Sequence, residues 1–251
     1  MFSNGVKCDI YIGQGAGKKL LGDISDARQS IKIVSPYLSP SFTKSLIEKK
    51  KQGIEVYLIT MDKIEDHGNN KDLVYNLINQ NRETIEDAVI KRAKFKKRYR
   101  FLLLFLIIAS SIMGYLTYQA PQEKYLIAIP ILFLVFILYL VYRNYYRNTR
   151  IYNYWYSQYF PFKVFLSPEK GSGRGKFIHS KIFIIDDEIA YLGSLNFTYN
   201  GSRGNHETRV RTTDSKALNE LLIEFEDLYE SSAPQIDIQQ WGKSIYPEPI
   251  N

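Results

Sequence analysis

Cysteine and histidine are scarce in this chain of 251 residues: Cys8 is the one thiol, and His67, His179 and His206 are the only imidazoles. A single cysteine excludes an intrachain disulfide and a cysteine-rich zinc site, and three scattered histidines offer no multi-histidine metal cluster. The chemistry expected is therefore independent of metal, with no cofactor. The opening residues, MFSNGVKCDI, lack the apolar core of a cleavable signal peptide. A basic stripe spread along the chain is also missing. The net charge is +7, but residues 91–100, KRAKFKKRYR, hold seven basic residues and no acid, and residues 143–150, RNYYRNTR, add three more. Without these ten the remainder stands at about −3. The basicity is local, which does not favour an extended groove for nucleic acid.

Between the basic clusters lie two uncharged runs, Phe101 to Tyr118 and Tyr125 to Tyr142, each of 18 residues. That length is the lower end of what crosses a bilayer. Two fully apolar helices inside so small a soluble domain would need protein on every side, and ten flanking basic residues would be out of place there. The pattern predicts a transmembrane hairpin joined by the short connector QAPQEK, with tyrosines near the span ends. Both basic flanks fall on one side, so the positive-inside rule places both soluble halves in the cytoplasm of a cell-membrane protein with two spans. On that reading the glycosylation triplets at Asn196 and Asn200 are incidental.

The stretch His179 to Glu207, HSKIFIIDDEIAYLGSLNFTYNGSRGNHE, is the one around which the rest of the chain is read. It contains H-x-K-x4-D (His179, Lys181, Asp186), then G-S-x-N (Gly193, Ser194, Asn196), with Glu207 eleven residues further on. KIFIIDDEIAYLGS reads as two short strands joined by a tight acidic turn. Strand alternation sets His179 and Lys181 side by side if the first strand begins at or before His179, and Ser194 and Asn196 repeat that relation at the end of the second strand. A nucleophile or acid/base, a fixed cation and neutral donors suit a phosphodiester passing through a five-coordinate state. Asp186 is either a participant or simply the holder of the turn. The preceding loop, PEKGSGRGK, carries Lys170, Arg174 and Lys176, either placed to meet an anionic substrate or solvated on a hinge.

The six polar positions of this pattern resemble the HKD motif of the phospholipase D superfamily, including the trailing Asn and Glu. The resemblance covers roughly residues 5–60 and 160–230, and it implies an α/β fold, a mixed sheet flanked by helices, here interrupted by the membrane hairpin. In that family two motifs meet about a two-fold axis; one His attacks phosphorus to give a phosphohistidine and the other protonates the leaving oxygen. No second H-x-K occurs in this chain. The resemblance therefore implies a homodimer whose site takes one His179 from each subunit. It also implies that Lys181 and Asn196 bind phosphoryl oxygens, that Ser194 supports them and that Glu207 orients a His179 ring. Single-motif members resemble small endonucleases, which makes a membrane-tethered nuclease acting on DNA or RNA the first expectation. A phospholipase or phosphatidyltransferase acting on membrane phospholipid is the alternative.

Around the motif the sequence predicts three segments: residues 1–90 as a first half-domain, 91–150 as the hairpin and 151–251 as the second half. In the first half Asp9 to Ile12 is a candidate strand, Ala16 to Gln29 a helix, Ile31 to Pro36 a strand, Ser41 to Lys51 a helix and Ile54 to Thr60 a strand. Such a strand–helix–strand order implies parallel pairing by right-handed crossovers. GQGAGKK at Gly13 to Lys19 is one residue short of a phosphate-binding loop and has Lys19 where Ser or Thr belongs. Asn70 to Arg100 reads as one helix continuous with the first span, and Tyr145 to Phe160 as an extension of the second. Its aromatics would serve as a helix–helix seam, an interfacial anchor or a groove wall. Lys163 to Ser167 and Glu207 to Thr213 read as strands, Lys216 to Tyr229 as an amphipathic helix, and the tail from Ser231 as loosely packed.

Overall fold

The computed structural model describes residues 4–62, 77–119, 128–168 and 175–250. The chain divides into two compact units, Met1–Gln80 with Tyr156–Tyr246, and Asn81–Trp155 with Pro247–Asn251. The expected hairpin segment, 91–150, falls inside the second.

The first unit is built on a seven-stranded mixed sheet. In chain order it runs β1 (Asp9–Gln14), α1 (Gly17–Asp26), β2 (Ser30–Val34), α2 (Pro40–Lys51) and β3 (Glu55–Met61). Later come β6 (Phe162–Phe165), β7 (Ile182–Ile185), β8 (Ile189–Gly193), a π-helical turn at Asn200–Gly204, β9 (His206–Thr212), α5 (Ser215–Tyr229) and α6 (Ile238–Ile245). The strand order is β1-β9-β8-β7-β2-β3-β6. β2, β3 and β6 are parallel, as the crossover through α2 requires, and the remaining pairs are antiparallel. Apolar side chains leave both faces of the central strands, so each face needs a cover. One face packs Ile31, Ile33, Leu58 and Phe183 against Leu20 and Ile24 of α1 and Leu46 of α2. The other packs Val34, Ile59, Ile182 and Ile184 against Leu218, Leu221, Phe225 and Leu228 of α5. That spacing along α5 is the apolar stripe of an amphipathic helix, and Asp214 caps its start by accepting from the Lys216 and Ala217 amides.

The near-miss phosphate loop has a packing role. A Cβ at Gly17 would lie 2.5 Å from the Ser202 Cα, so a bare glycine lets α1 approach the Asn200–Gly204 turn.

In the second unit, α3 (Glu86–Gln119) and α4 (Ala128–Asn148) are both long and apolar enough to cross a membrane, and neither apolar stretch is buried by protein. Their basic ends are laced together by rings. Phe95 stacks on Tyr145 at 5.3 Å, and the Arg92 guanidinium lies 4.5 Å from the Tyr146 ring centre.

Two helical expectations are corrected. Of the helix expected over Asn70 to Arg100, residues 70–76 lie outside the described residues, and Ile78–Thr84 is a strand, β4. Helix α3 starts only at Glu86, where Glu86 and Asp87 put two acids in its first turn, complementing the helix dipole. The extension expected over Tyr145 to Phe160 stops at Asn148, and Tyr152–Gln158 is β5. β4 and β5 pair as a separate two-stranded ribbon. YNYWYSQ is rich in residues that suit a strand, and INQNRET has a partner there that outweighs its weak helical pattern. Tyr156 is buried; its ring stacks on Tyr246 at 5.9 Å and its hydroxyl accepts from Gln80.

Candidate functional site

The β7–β8 hairpin sets the site. Asp186 and Asp187 both adopt left-handed backbone, at φ 54° and 56°, and the Glu188 amide closes the turn on the Ile185 carbonyl at 3.0 Å. The register Ile182↔Leu192 then places the residues before β7 and those after β8 at one end of the sheet. β9 begins at that end too, since Gly193 pairs with Arg209 and the Ser194 amide bonds to the Thr208 carbonyl. The end of β2 joins them, with Val34 opposite Ile182.

At this end the Lys181 ammonium lies 3.0 Å from His179 Nε2 and donates to the His179 carbonyl at 2.7 Å. A charged ammonium has no lone pair to offer, so in that contact Nε2 is the acceptor, the unprotonated nitrogen of the ring. His179 is exposed, whereas Lys181 is buried. Burial pulls the Lys181 pKa below the ordinary lysine value, and the negative Glu207 nearby opposes the shift without cancelling it.

Glu207 is buried and doubly engaged, accepting from the Ser194 hydroxyl and from Asn205 Nδ2 at 3.2 Å. Within one chain its carboxylate therefore meets Ser194 and Asn205. Asn196 is half-buried, and its Oδ1 is enclosed with no hydrogen-bond partner among the described residues. Gly193 makes this junction sterically feasible. Its φ is +153°, and a Cβ there would fall 1.9 Å from the Thr208 carbonyl oxygen. The glycine of G-S-x-N thus allows β8 and β9 to close up under Ser194 and Glu207.

The structure brings His179, Lys181, Ser194, Asn196 and Glu207 to this end of the sheet and leaves Asp186 away from it. Asp186 sits at the opposite end of β7, about 13 Å of strand away. There its carboxylate accepts from the backbone amides of Arg28, Gln29 and Ser30, at 3.0–3.1, 2.7 and 2.9 Å. Burial alone would raise its pKa, but the three amide bonds outweigh that and hold it below the ordinary carboxylate range. Among the loop cations expected to meet substrate, Lys170 and Arg174 lie outside the described residues. Lys176 is half-buried and ties its backbone to the Leu166 carbonyl at 3.1 Å.

Sequence reasoning passed over several residues that shape this end. Ser35 Oγ accepts from the Phe197 amide and donates to the Tyr37 carbonyl, and Ser39 Oγ accepts from the Tyr199 amide. These bonds pin the loop after β2 to the segment that carries Asn196. Asn205, two residues before Glu207, was findable from the same i, i+2 rule that picked out Lys181. Among the described residues no group of three or more His, Cys, Asp or Glu is arranged to hold a metal ion.

Comparison with known proteins gives one family match. Residues 141–229 match the family described as cardiolipin synthase, PLD-like domain. Curated proteins gave no match. Among solved structures, the chain is similar to NucT from Helicobacter pylori, at 17% identity and a TM-score of 0.47, covering 90% of this chain and 98% of that one. It is also similar to Nuc, a phospholipase D family member from Salmonella typhimurium, at 15% identity and a TM-score of 0.45, covering 92% and 99%. The phosphatidylserine synthase of Haemophilus influenzae Rd KW20 is 12% identical with a TM-score of 0.45, covering 99% of this chain and 44% of that one. The family match spans the whole of the His179-to-Glu207 constellation, so the motif-bearing part of the chain is similar to a PLD-like domain.

Proposed function

We propose that this protein is a membrane-anchored phosphodiesterase, an endonuclease that works without metal through a phosphohistidine at a homodimer interface. The observation that carries the reading is the pairing of His179 Nε2, as acceptor, with a buried Lys181 ammonium 3.0 Å away. His179 Nε2 attacks phosphorus as the bond from phosphorus to the leaving oxygen breaks, and His179 of a second copy gives its proton to that oxygen. Water then attacks phosphorus, the N–P bond breaks, and the second imidazole takes the proton back. Lys181 and Asn196 hold the phosphoryl oxygens as negative charge builds on them, with Ser194 in support. In one chain Glu207 is engaged with Ser194 and Asn205, so its orienting role is assigned to the imidazole contributed by the other copy. The two apolar helices are the anchor, with their basic ends facing the cytoplasm, and Lys170, Arg174 and Lys176 draw the anionic substrate in.

Phospholipid is the second reading. It is favoured by the family description, which names a cardiolipin synthase, and by the two unburied apolar helices. The deciding experiment offers the purified protein labelled single- and double-stranded nucleic acid and, in parallel, phospholipid vesicles, with and without EDTA. Cleavage of nucleic acid that persists in EDTA is expected; turnover of lipid alone overturns the nuclease reading, and loss of activity in EDTA overturns the metal-free route. Mixing wild-type with His179→Asn subunits is expected to give inactive mixed dimers. Activity that falls only in proportion to the wild-type share sinks the shared site.

A further inference from the structure

Phe177 stands two residues before His179. Its ring is 63% exposed and lies nearly parallel to the imidazole, at 13° and 5.8 Å between ring centres. A lone exposed apolar side chain is ordinary on a protein surface. What sets this one apart is its neighbour: it stacks on the imidazole assigned to the phosphorus, which in turn lies 3.0 Å from the Lys181 ammonium. Phe177, His179 and Lys181 follow one another at two-residue steps, presenting in sequence an aromatic face, a lone-pair nitrogen and a cation. A nucleotide has the matching order, a flat base joined through its sugar to an anionic phosphate. The other strongly exposed ring beside the motif, Tyr199, differs in having the Arg203 guanidinium 5.5 Å from its centre.

We infer that Phe177 is a stacking platform for the base next to the scissile phosphate, and that the site consequently selects single-stranded nucleic acid. This rests on the nuclease reading above. A base in a duplex already has both faces stacked and reaches Phe177 only by leaving the helix, whereas every base of a single strand offers a free face. In the two-fold dimer the second Phe177 would serve the base on the other side of the same phosphate, which makes the preference insensitive to sequence.

The test compares a thymidine homo-oligonucleotide with an abasic chain of the same length, using wild type, Phe177→Ala and Phe177→Trp. The expected result is a wild-type preference in kcat/KM for the base-bearing strand of about tenfold to a hundredfold, carried mainly by KM. Alanine should shrink that ratio towards one, and tryptophan should restore it. A ratio that alanine leaves intact, or equal losses on both substrates in both variants, overturns the platform. A blunt duplex cut by wild type as fast as the single strand also overturns it. If wild type turns over phospholipid vesicles and no oligonucleotide, the nuclease reading fails and the platform with it; if it cuts oligonucleotides with an unchanged ratio, the platform alone fails.

Discussion

At the turn end of the β7–β8 hairpin both aspartates are answered: Asp186 accepts from three backbone amides, and Asp187 pairs with Lys32 at 2.5 Å. At the open end, Lys181 is buried against an imidazole, and the Asn196 Oδ1 is enclosed without a partner among the described residues. Both ends carry polar residues of the same motif, four residues of strand apart. A polar group whose bonds are all made within the fold stabilises it; a group held ready with capacity to spare is available for a ligand. The contrast separates the aspartate of the motif from its histidine and lysine.

Breaking the open end should give the largest effect. His179→Asn keeps the size and polarity of the side chain but removes the proposed nucleophile, so turnover is expected to fall by about a thousandfold or more with the unfolding midpoint unchanged. A residual rate within tenfold of wild type would remove His179 from the chemistry.

The mirror experiment at the turn end is Asp186→Ala, which orphans three amides. A loss of about 2 kcal/mol in denaturant unfolding is expected, with kcat largely retained. The pH dependence follows from the depressed pKa of Asp186. Its contribution to stability is fully present above the ordinary carboxylate range and is lost as pH falls through the lowered folded value. The acid limb of the stability curve should therefore flatten in the variant. Loss of catalysis with stability intact would place Asp186 in the site after all.

Lys181 sharpens the comparison through pH rather than through stability. Burial lowers its pKa, so the cation proposed to bind phosphate is lost on raising the pH before an ordinary lysine would deprotonate. Lys181→Arg, about tenfold slower because the guanidinium is a wider fork, should extend the alkaline limb of kcat/KM to higher pH. An unmoved limb would assign it to another group. The smallest change expected is Lys32→Met. It breaks a pair whose Asp187 side chain is 44% exposed, and should cost under about 1 kcal/mol, fading further in high salt.

Much of this was legible in the primary structure because it is local. The two apolar runs, the α5 stripe and the β2-α2-β3 unit each depend on neighbours within a few residues, and periodicity reports such neighbours directly; β7 starts only at Ile182, so the contact between His179 and Lys181 is not the work of strand alternation. β4 defies its weak helical pattern because its partner β5, which has strand-forming residues of its own, lies more than 60 residues away along the chain. Spacing also left Asp186 undecided. The amides that claim it belong to Arg28, Gln29 and Ser30, more than 150 residues earlier. Phe177 was visible as a neighbour of His179, yet nothing in its identity told whether its ring was packed or open.

The amino-acid order by itself determined the inventory of reactive groups and the two helices able to span a bilayer, since each is fixed by residues within a short window. Only the tertiary structure decided which of those groups converge. Convergence depends on strand register, which brings Glu207 under Ser194 at a glycine that tolerates no side chain, and carries Asp186 to the far end of its strand.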